Sequence, residues 1–124
     1  MRRSKYGNKK TEYDGYKFDS IVEKDRYKVL IKKQEEGLIK DLQLQKKYLL
    51  QDKFKYRGKT VRAIHYIADF YYIENDVEVI EDVKGGILTA DFKLKQKLFK
   101  YRYQDIHFKV IIKKRGKWVN LEEK

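Results

Sequence analysis

Residues 60–85 read TVRAIHYIADFYYIENDVEVIEDVKG, and this stretch decides the fold. It is rich in β-branched and aromatic residues, which favour strands. Glu74-Asn75-Asp76 interrupts it with a turn-like patch. The reading is two antiparallel strands, about 61–73 and 77–84, forming a hairpin that Gly85-Gly86 ends. A loop at 74–77 pairs Ile73 with Glu78, and the same register carries Asp69 to a position directly opposite Asp82. Opposed like charges in a sheet repel. A metal ion between the two carboxylates would turn that repulsion into a binding site. A register slipped by one residue sets Asp69 against Glu81 instead and exchanges the ligand. Lys84 shares the face of Asp82 by the two-residue period of a strand. Asp69 is itself unusual, because Tyr66-Ile67-Ala68 and Phe70-Tyr71-Tyr72 enclose it in an apolar and aromatic run. The competing reading is an Asp at a strand edge facing solvent.

Upstream, Asp19 or Ser20 can cap a helix running from about Ile21 to Glu36 and closed by Gly37. Tyr27, Leu30, Ile31 and Gln34 share one face of it. Glu23 lies on that apolar stripe, and a carboxylate facing a core needs a partner or a metal. The competing reading is a capping box, since Ser20-Ile21-Val22-Glu23 has the S-x-x-E pattern. From Ile39 to Leu50 the period is two (Leu42, Leu44, Tyr48, Leu50), a strand with a kink expected at Lys46-Lys47. Phe54 and Tyr56 continue this ribbon to a turn at Arg57-Gly58-Lys59.

Downstream, Thr89 can cap a second helix over about Ala90 to Tyr103, in which Leu94, Leu98 and Tyr101 share a face. Ile106, Phe108, Val110 and Ile112 alternate as a strand, and Lys114-Arg115-Gly116 turns into a short last strand around Trp118. Residues 1–17 read as a basic, polar arm with turn signals at Gly7-Asn8 and Asp14-Gly15. There is no proline and no Ser/Gly-rich linker, so residues 1–124 are expected to form a single α/β domain, a central mixed sheet flanked by helices.

The composition narrows the function. Lys+Arg 31 against Asp+Glu 19 gives a net charge of +12, and a chain this basic calls for an anionic partner. With 41% hydrophobic residues, the chain has material for a core. The absence of Cys excludes disulfide scaffolds, zinc-thiolate sites and thiol nucleophiles, and it fits a reducing compartment such as the cytoplasm. No apolar run approaches the roughly 20 residues of a membrane span, and no apolar segment follows the basic N-terminus, so no membrane partner is expected. The cations are clustered. Arg2, Arg3, Lys5, Lys9 and Lys10 lie in the first ten residues, and Lys93, Lys95, Lys97, Lys100 and Arg102 lie in 93–102, both stretches without an acid. The acids gather between them at Glu74, Asp76, Glu78, Glu81 and Asp82. A nuclease has use for such an acidic centre, because carboxylates must hold a divalent metal beside a bound phosphate backbone. The competing reading makes the basic runs solvated faces. His65 and His107 are too few and too scattered for a metal triad, and no Gly-rich phosphate loop is present. Tyr71, Tyr72, Tyr101 and Tyr103 read as core or rim aromatics, one or two of which could stack on an unpaired base.

Glu23, then Asp69, then Asp82-Val83-Lys84 resembles the signature of the PD-(D/E)XK nuclease superfamily, a Glu on a first helix and D…(D/E)XK on a hairpin. Phe18-Asp19-Ser20-Ile21-Val22-Glu23, Ile67-Ala68-Asp69-Phe70 and Glu81-Asp82-Val83-Lys84-Gly85 look like the corresponding segments of phage Holliday-junction resolvases of the endonuclease I type. They are similar also to those of small phage and prophage proteins of that superfamily. The similarity runs from about Asn8 to Phe108. Ala68 stands where the superfamily name has Pro, and Asp82 stands where the resolvases carry Glu. The Gln-x-x-x-Tyr motif of some relatives is not reproduced, since Gln96 and Tyr101 are five apart.

The resemblance implies a restriction-endonuclease-like core and a metal-dependent phosphodiesterase. Asp69, Asp82 and the Val83 backbone carbonyl would bind Mg²⁺ or Mn²⁺, Glu23 would complete the site, and Lys84 would orient the attacking water or stabilise the transition state. The basic segments, Arg2, Arg3, Lys5, Lys9 and Lys10 with Lys93, Lys97 and Lys100, would carry DNA. The expected protein is a structure-selective DNA endonuclease acting on branched DNA. If phage-encoded, it would work in the host cytoplasm. It is expected to be a homodimer, because a four-way junction is resolved by two cuts, and its tyrosine-rich middle and terminal ribbon at Trp118 offer interface material. The alternatives are a nicking, restriction or transposon-end nuclease on the same scaffold, or a non-catalytic nucleic-acid-binding module.

Overall fold

Two-residue turns with both central residues at positive φ fix the hairpins of this chain: Asp14-Gly15, Arg57-Gly58, Asn75-Asp76 and Arg115-Gly116. Such turns match the right-handed twist of paired strands, and Asn, Asp and Gly adopt the left-handed conformation most readily. The computed structural model describes residues 10–122. Their elements, in chain order, are β1 (Thr11–Tyr13), β2 (Tyr16–Phe18), α1 (Ile21–Glu35), β3 (Lys40–Gln51), β4 (Phe54–Tyr56), β5 (Lys59–Val61), β6 (Ile64–Glu74), β7 (Val77–Val83), α2 (Ala90–Arg102), β8 (His107–Lys114) and β9 (Lys117–Asn120).

The central sheet has the order β3-β6-β7-β8-β9. Only β7 and β8 pair in parallel, and α2 makes the crossover between them. This is the α/β architecture expected from the sequence. Val79 to Val83 of β7 are buried without a break, because helices cover the sheet on both faces. On one face, Tyr27 and Leu30 of α1 pack with Phe18, Phe70, Tyr72, Val79, Val83 and Ile111. On the other, Phe92 and Phe99 of α2 pack with Tyr48, Leu50, Tyr66, Ala68, Ile80, Phe108 and Val110.

Strand alternation breaks in β3 and in its neighbour β6 together. Tyr66 and Ala68 face α2, whereas Phe70 and Tyr72 face α1, although regular alternation would put all four on one side. Across the ladder, Tyr48 and Leu50 face α2 while Leu42 and Leu44 pack toward α1. The pairs Leu44↔Phe70 and Lys46↔Ala68 bracket the switch, and Gln45 sits there at φ +54°. The expected kink therefore lies at Gln45, one residue before Lys46-Lys47, and Asp69 lies opposite it.

Other expectations are corrected. Residues 11–18 are not a loose arm but a hairpin, β1–β2, whose Tyr13, Tyr16 and Phe18 rings pack on Tyr27. Phe54 and Tyr56 form a separate two-stranded ribbon with β5 rather than extending β3, so β6 begins at Ile64. The β6–β7 loop is the two residues Asn75-Asp76, yet the expected register holds, with Ile73↔Glu78 and Phe70↔Glu81. Leu94 and Tyr101 turn to solvent, and the buried side of α2 is set by Phe92 and Phe99. Trp118 packs against the α1 cluster, with the Arg26 guanidinium 5.2 Å from its ring centroid. Among the described residues, no helix is long and apolar enough to cross a membrane.

Candidate active site

The β6–β7 ladder ends at Phe70↔Glu81. Beyond that pair Asp69 substitutes a side chain for the missing backbone partner: its Oδ2 accepts the Val83 N–H at 2.7 Å. Val83 cannot find a ladder partner on β6 because β6 turns its faces over at Asp69. The strands part, and the carboxylate fills the gap.

Three further side chains converge there. Ser20 caps α1, its Oγ accepting the Glu23 N–H at 3.1 Å, which is half of the capping box. The Glu23 side chain, which would close the box, is buried and lies beside the Asp69 carboxyl. Asp82 is buried on the α2 face, where its Oδ2 accepts the Tyr66 hydroxyl at 2.6 Å. Its Oδ1 lies 3.1 Å from the Lys84 ammonium. That ammonium in turn sits 4.1 Å from the centroid of the Phe92 ring, in the first turn of α2. Lys84 is thus held between a carboxylate and an aromatic face, a favourable setting for a cation. The structure brings together all four of the residues read as catalytic from the sequence. Tyr66 and Phe92 are additions to that set.

Burial pushes the Asp69 carboxyl well above the usual carboxylate range, and the charges of Asp82 and Glu23 push it the same way, against the Val83 N–H. Burial also raises Glu23, which feels the charges of Asp19 and Asp82. Burial first, and then Asp82, drives the Tyr66 hydroxyl far upward, so it remains a hydrogen-bond donor. Asp69 and Glu23 therefore resist ionising together beside Asp82, whose charge Lys84 pairs.

Glu81 has a different task. It is 0% exposed, and Arg26 of α1 donates to both of its oxygens at 2.7 Å, with the Tyr72 hydroxyl as a third donor. These bonds occupy both Glu81 oxygens on the α1 face. They also dock α1 on the central strand one turn from Glu23.

Glu23, Asp69 and Asp82 are hard oxygen donors of the kind Mg²⁺ and Mn²⁺ take. A divalent cation would favour their ionised forms, which burial and mutual repulsion now disfavour. Among the described residues, no group of three or more His, Asp or Glu side chains is arranged to hold a metal ion. Asp69 Oδ2 is taken up by the Val83 N–H, and the Asp82 oxygens by Tyr66 and Lys84.

Of the expected DNA contacts, Lys93 and Lys97 are exposed on α2. Lys100 is exposed and pairs with Glu122, which Gln96 also contacts. Lys10 is exposed, and Arg2, Arg3, Lys5 and Lys9 lie outside the described residues, as does the turn expected at Gly7-Asn8. His65 pairs with Leu49 within the sheet. Tyr71 and Tyr72 are core residues, Tyr103 is half-buried, and Tyr101 is exposed.

No curated protein and no solved structure matches the chain. A family model matches residues 3–118, nearly the whole length, and the chain belongs to the family it describes, "Protein of unknown function (DUF1064)".

Proposed function

We propose that this protein is a metal-dependent DNA endonuclease that hydrolyses phosphodiester bonds in branched DNA. The observation that carries the reading is Asp69. It sits where β6 and β7 part, bonded to Val83 and near enough to Glu23 and Asp82 to feel both charges, with Lys84 on Asp82. A structural Asp has no need of two more carboxylates beside it, and their repulsion is a cost unless a cation joins them.

Asp69, Asp82 and the Val83 carbonyl would hold Mg²⁺ or Mn²⁺, with Glu23 as a further ligand or a partner to a bound water. When bound, the ion supplies charge to polarise the scissile phosphate and lowers the pKa of an attacking water. Tyr66 keeps Asp82 aimed by donating to one oxygen. Lys84 moves from Asp82 to the phosphate, where its ammonium stabilises the charge that builds in the transition state. Lys93 and Lys97 extend the positive surface along α2, and Lys10, Arg2, Arg3, Lys5 and Lys9 add to the chain's net attraction for DNA.

Action on a four-way junction calls for a homodimer, with one site for each of two cuts. A second reading, a monomeric nicking enzyme on the same scaffold, is favoured by one observation. The aromatics offered for a dimer interface are largely used within the chain: Tyr66, Tyr71 and Tyr72 are buried, and Trp118 packs under Arg26. Cleavage of linear, flapped and four-way DNA with Mg²⁺ or Mn²⁺, alongside light scattering, tests both. Paired cuts in junctions by a dimer support the resolvase reading, and single nicks by a monomer support the other. No metal-dependent cleavage of any DNA overturns both.

A further inference from the structure

The ribbon β4–β5 has no core of its own. All residues from Asp52 to Thr60 are exposed, and Val61 is only half-buried. Isolated two-stranded hairpins of this length are marginal in water. This one is held by its turn at Arg57-Gly58 and by the cross-strand pairs Phe54↔Val61 and Tyr56↔Lys59 on one face. Lys55 and Thr60 pair on the opposite face. Lys53 and Arg62 flank the base and Arg57 occupies the tip, so residues 53–62 carry five cations and no acid.

Its position is set by register. The β7 strand stops pairing with β6 at Phe70↔Glu81, whereas β3 and β6 stay paired as far as Gln51↔Ile64. The β3–β6 pair therefore runs on past the end of β7 where Asp69, Asp82 and Lys84 meet, and β4–β5 forms its far tip. At about 3.3 Å per residue, the chain from Asp69 to Lys59 can reach about 33 Å. That is close to one turn of duplex DNA, about 34 Å.

Resting on the nuclease reading, we propose that the β4–β5 ribbon is a DNA-binding arm. It lays Lys53, Lys55, Arg57 and Arg62 against the phosphates of duplex up to one turn from the scissile bond. Duplex DNA fits better than a second copy of this chain. Two copies of a ribbon with five cations and no acid would repel, while a phosphate backbone neutralises each charge it meets. The aromatic pairs hold the arm in shape before DNA arrives, so little order need be gained on binding.

The test is binding in a chelator, without cleavage, to duplexes of about one turn (about 10 bp) and about three turns (about 30 bp). Wild type is compared with Lys55→Ala/Arg57→Ala, which keeps both aromatic pairs. The variant should bind the long duplex about tenfold more weakly, with a salt slope lower by about 2, and bind the short duplex as wild type does. Equal loss on both lengths, or no loss on either, overturns the arm while leaving the nuclease reading in place. Failure of wild type to bind either duplex overturns the nuclease reading with it. A fall in oligomeric state in Phe54→Ser/Tyr56→Ser, with DNA binding unchanged, would make the ribbon an interface between copies and also overturn the arm.

Discussion

The Asp69 carboxylate accepts the backbone N–H of Val83 at 2.7 Å, closing by a side chain a ladder that the two backbones leave open. The bond ties β6, at the open end of the β6–β7 hairpin, to the strand end that carries Asp82 and leads to Lys84. It also means that an acid in the middle of an aromatic strand is neither solvent-facing nor incidental.

Stability without metal should depend on pH through this acid. Burial, then Asp82 and Glu23, raise the Asp69 pKa above its unfolded value. Such a group contributes stability that is full below the unfolded pKa and is lost as pH rises through the folded one. In a chelator, wild type should therefore lose stability relative to Asp69→Asn as pH rises above the unfolded value of about 4. Mn²⁺ should restore it, most at the higher pH, because it binds the folded chain. Calorimetry at several pH values checks this, and parallel profiles for the two proteins would contradict it.

Arg26 and Glu81 form a pair that only fold stability should report. Arg26→Leu leaves a fully buried carboxylate without its cation, and breaking a buried pair costs about 3–5 kcal/mol. Removing both charges, in Arg26→Leu/Glu81→Leu, should recover much of the loss. Urea unfolding of the two variants measures this, and a single-variant loss below about 1 kcal/mol would show that the pair is not the anchor of α1.

Tyr66→Phe removes one hydroxyl from Asp82 Oδ2. A hydrogen bond to a charged acceptor is worth about 1.5–3 kcal/mol. Part of that should appear as lost stability, and part as a several-fold rise in the Mn²⁺ concentration needed to raise the melting temperature. A variant with wild-type stability and metal response would make the Tyr66 contact dispensable.

Much of this was legible in the sequence because local and long-range signals agreed. The Asn75-Asp76 turn, set between β-branched runs, fixes the β6–β7 register and hence the approach of Asp69 to Asp82. Ser20 and Thr89 mark both helix starts by the bonds they make. The face switch was not legible, since Gln45 at φ +54° is a residue type with no left-handed preference. The Arg26–Glu81 pair joins residues 55 apart, which no local pattern reveals. Phe92 and Phe99 lie seven apart on α2 and signal its buried face, but Leu94 and Tyr101, also seven apart, give the same signal for the exposed one. The β1–β2 hairpin carried a usable mark, Asp14-Gly15 between Tyr13 and Tyr16, in a segment read as an arm because it is polar.

Lys93 and Lys97 should contribute to DNA affinity without sequence preference. Lys93→Glu/Lys97→Glu is expected to weaken every DNA tested and to lower the salt slope by about 2, about 0.9 for each phosphate contact. Lys100 shares its charge with Glu122, so Lys100→Glu should have the smaller effect of the three. Titrations at several salt concentrations decide it, and an unchanged slope would place the DNA on another face.

The central claim is that Asp69 and Asp82 act on the phosphate through a metal and do not merely hold the sheet together. Single-turnover cleavage and equilibrium binding of the same branched DNA by Asp69→Asn and Asp82→Asn test it most directly. The account predicts that Mg²⁺-dependent cleavage falls by about a thousandfold or more, about 4 kcal/mol of lost transition-state stabilisation, while DNA binding stays the same or tightens. Cleavage within a few-fold of wild type, or binding lost in step with cleavage by a folded variant, would contradict it.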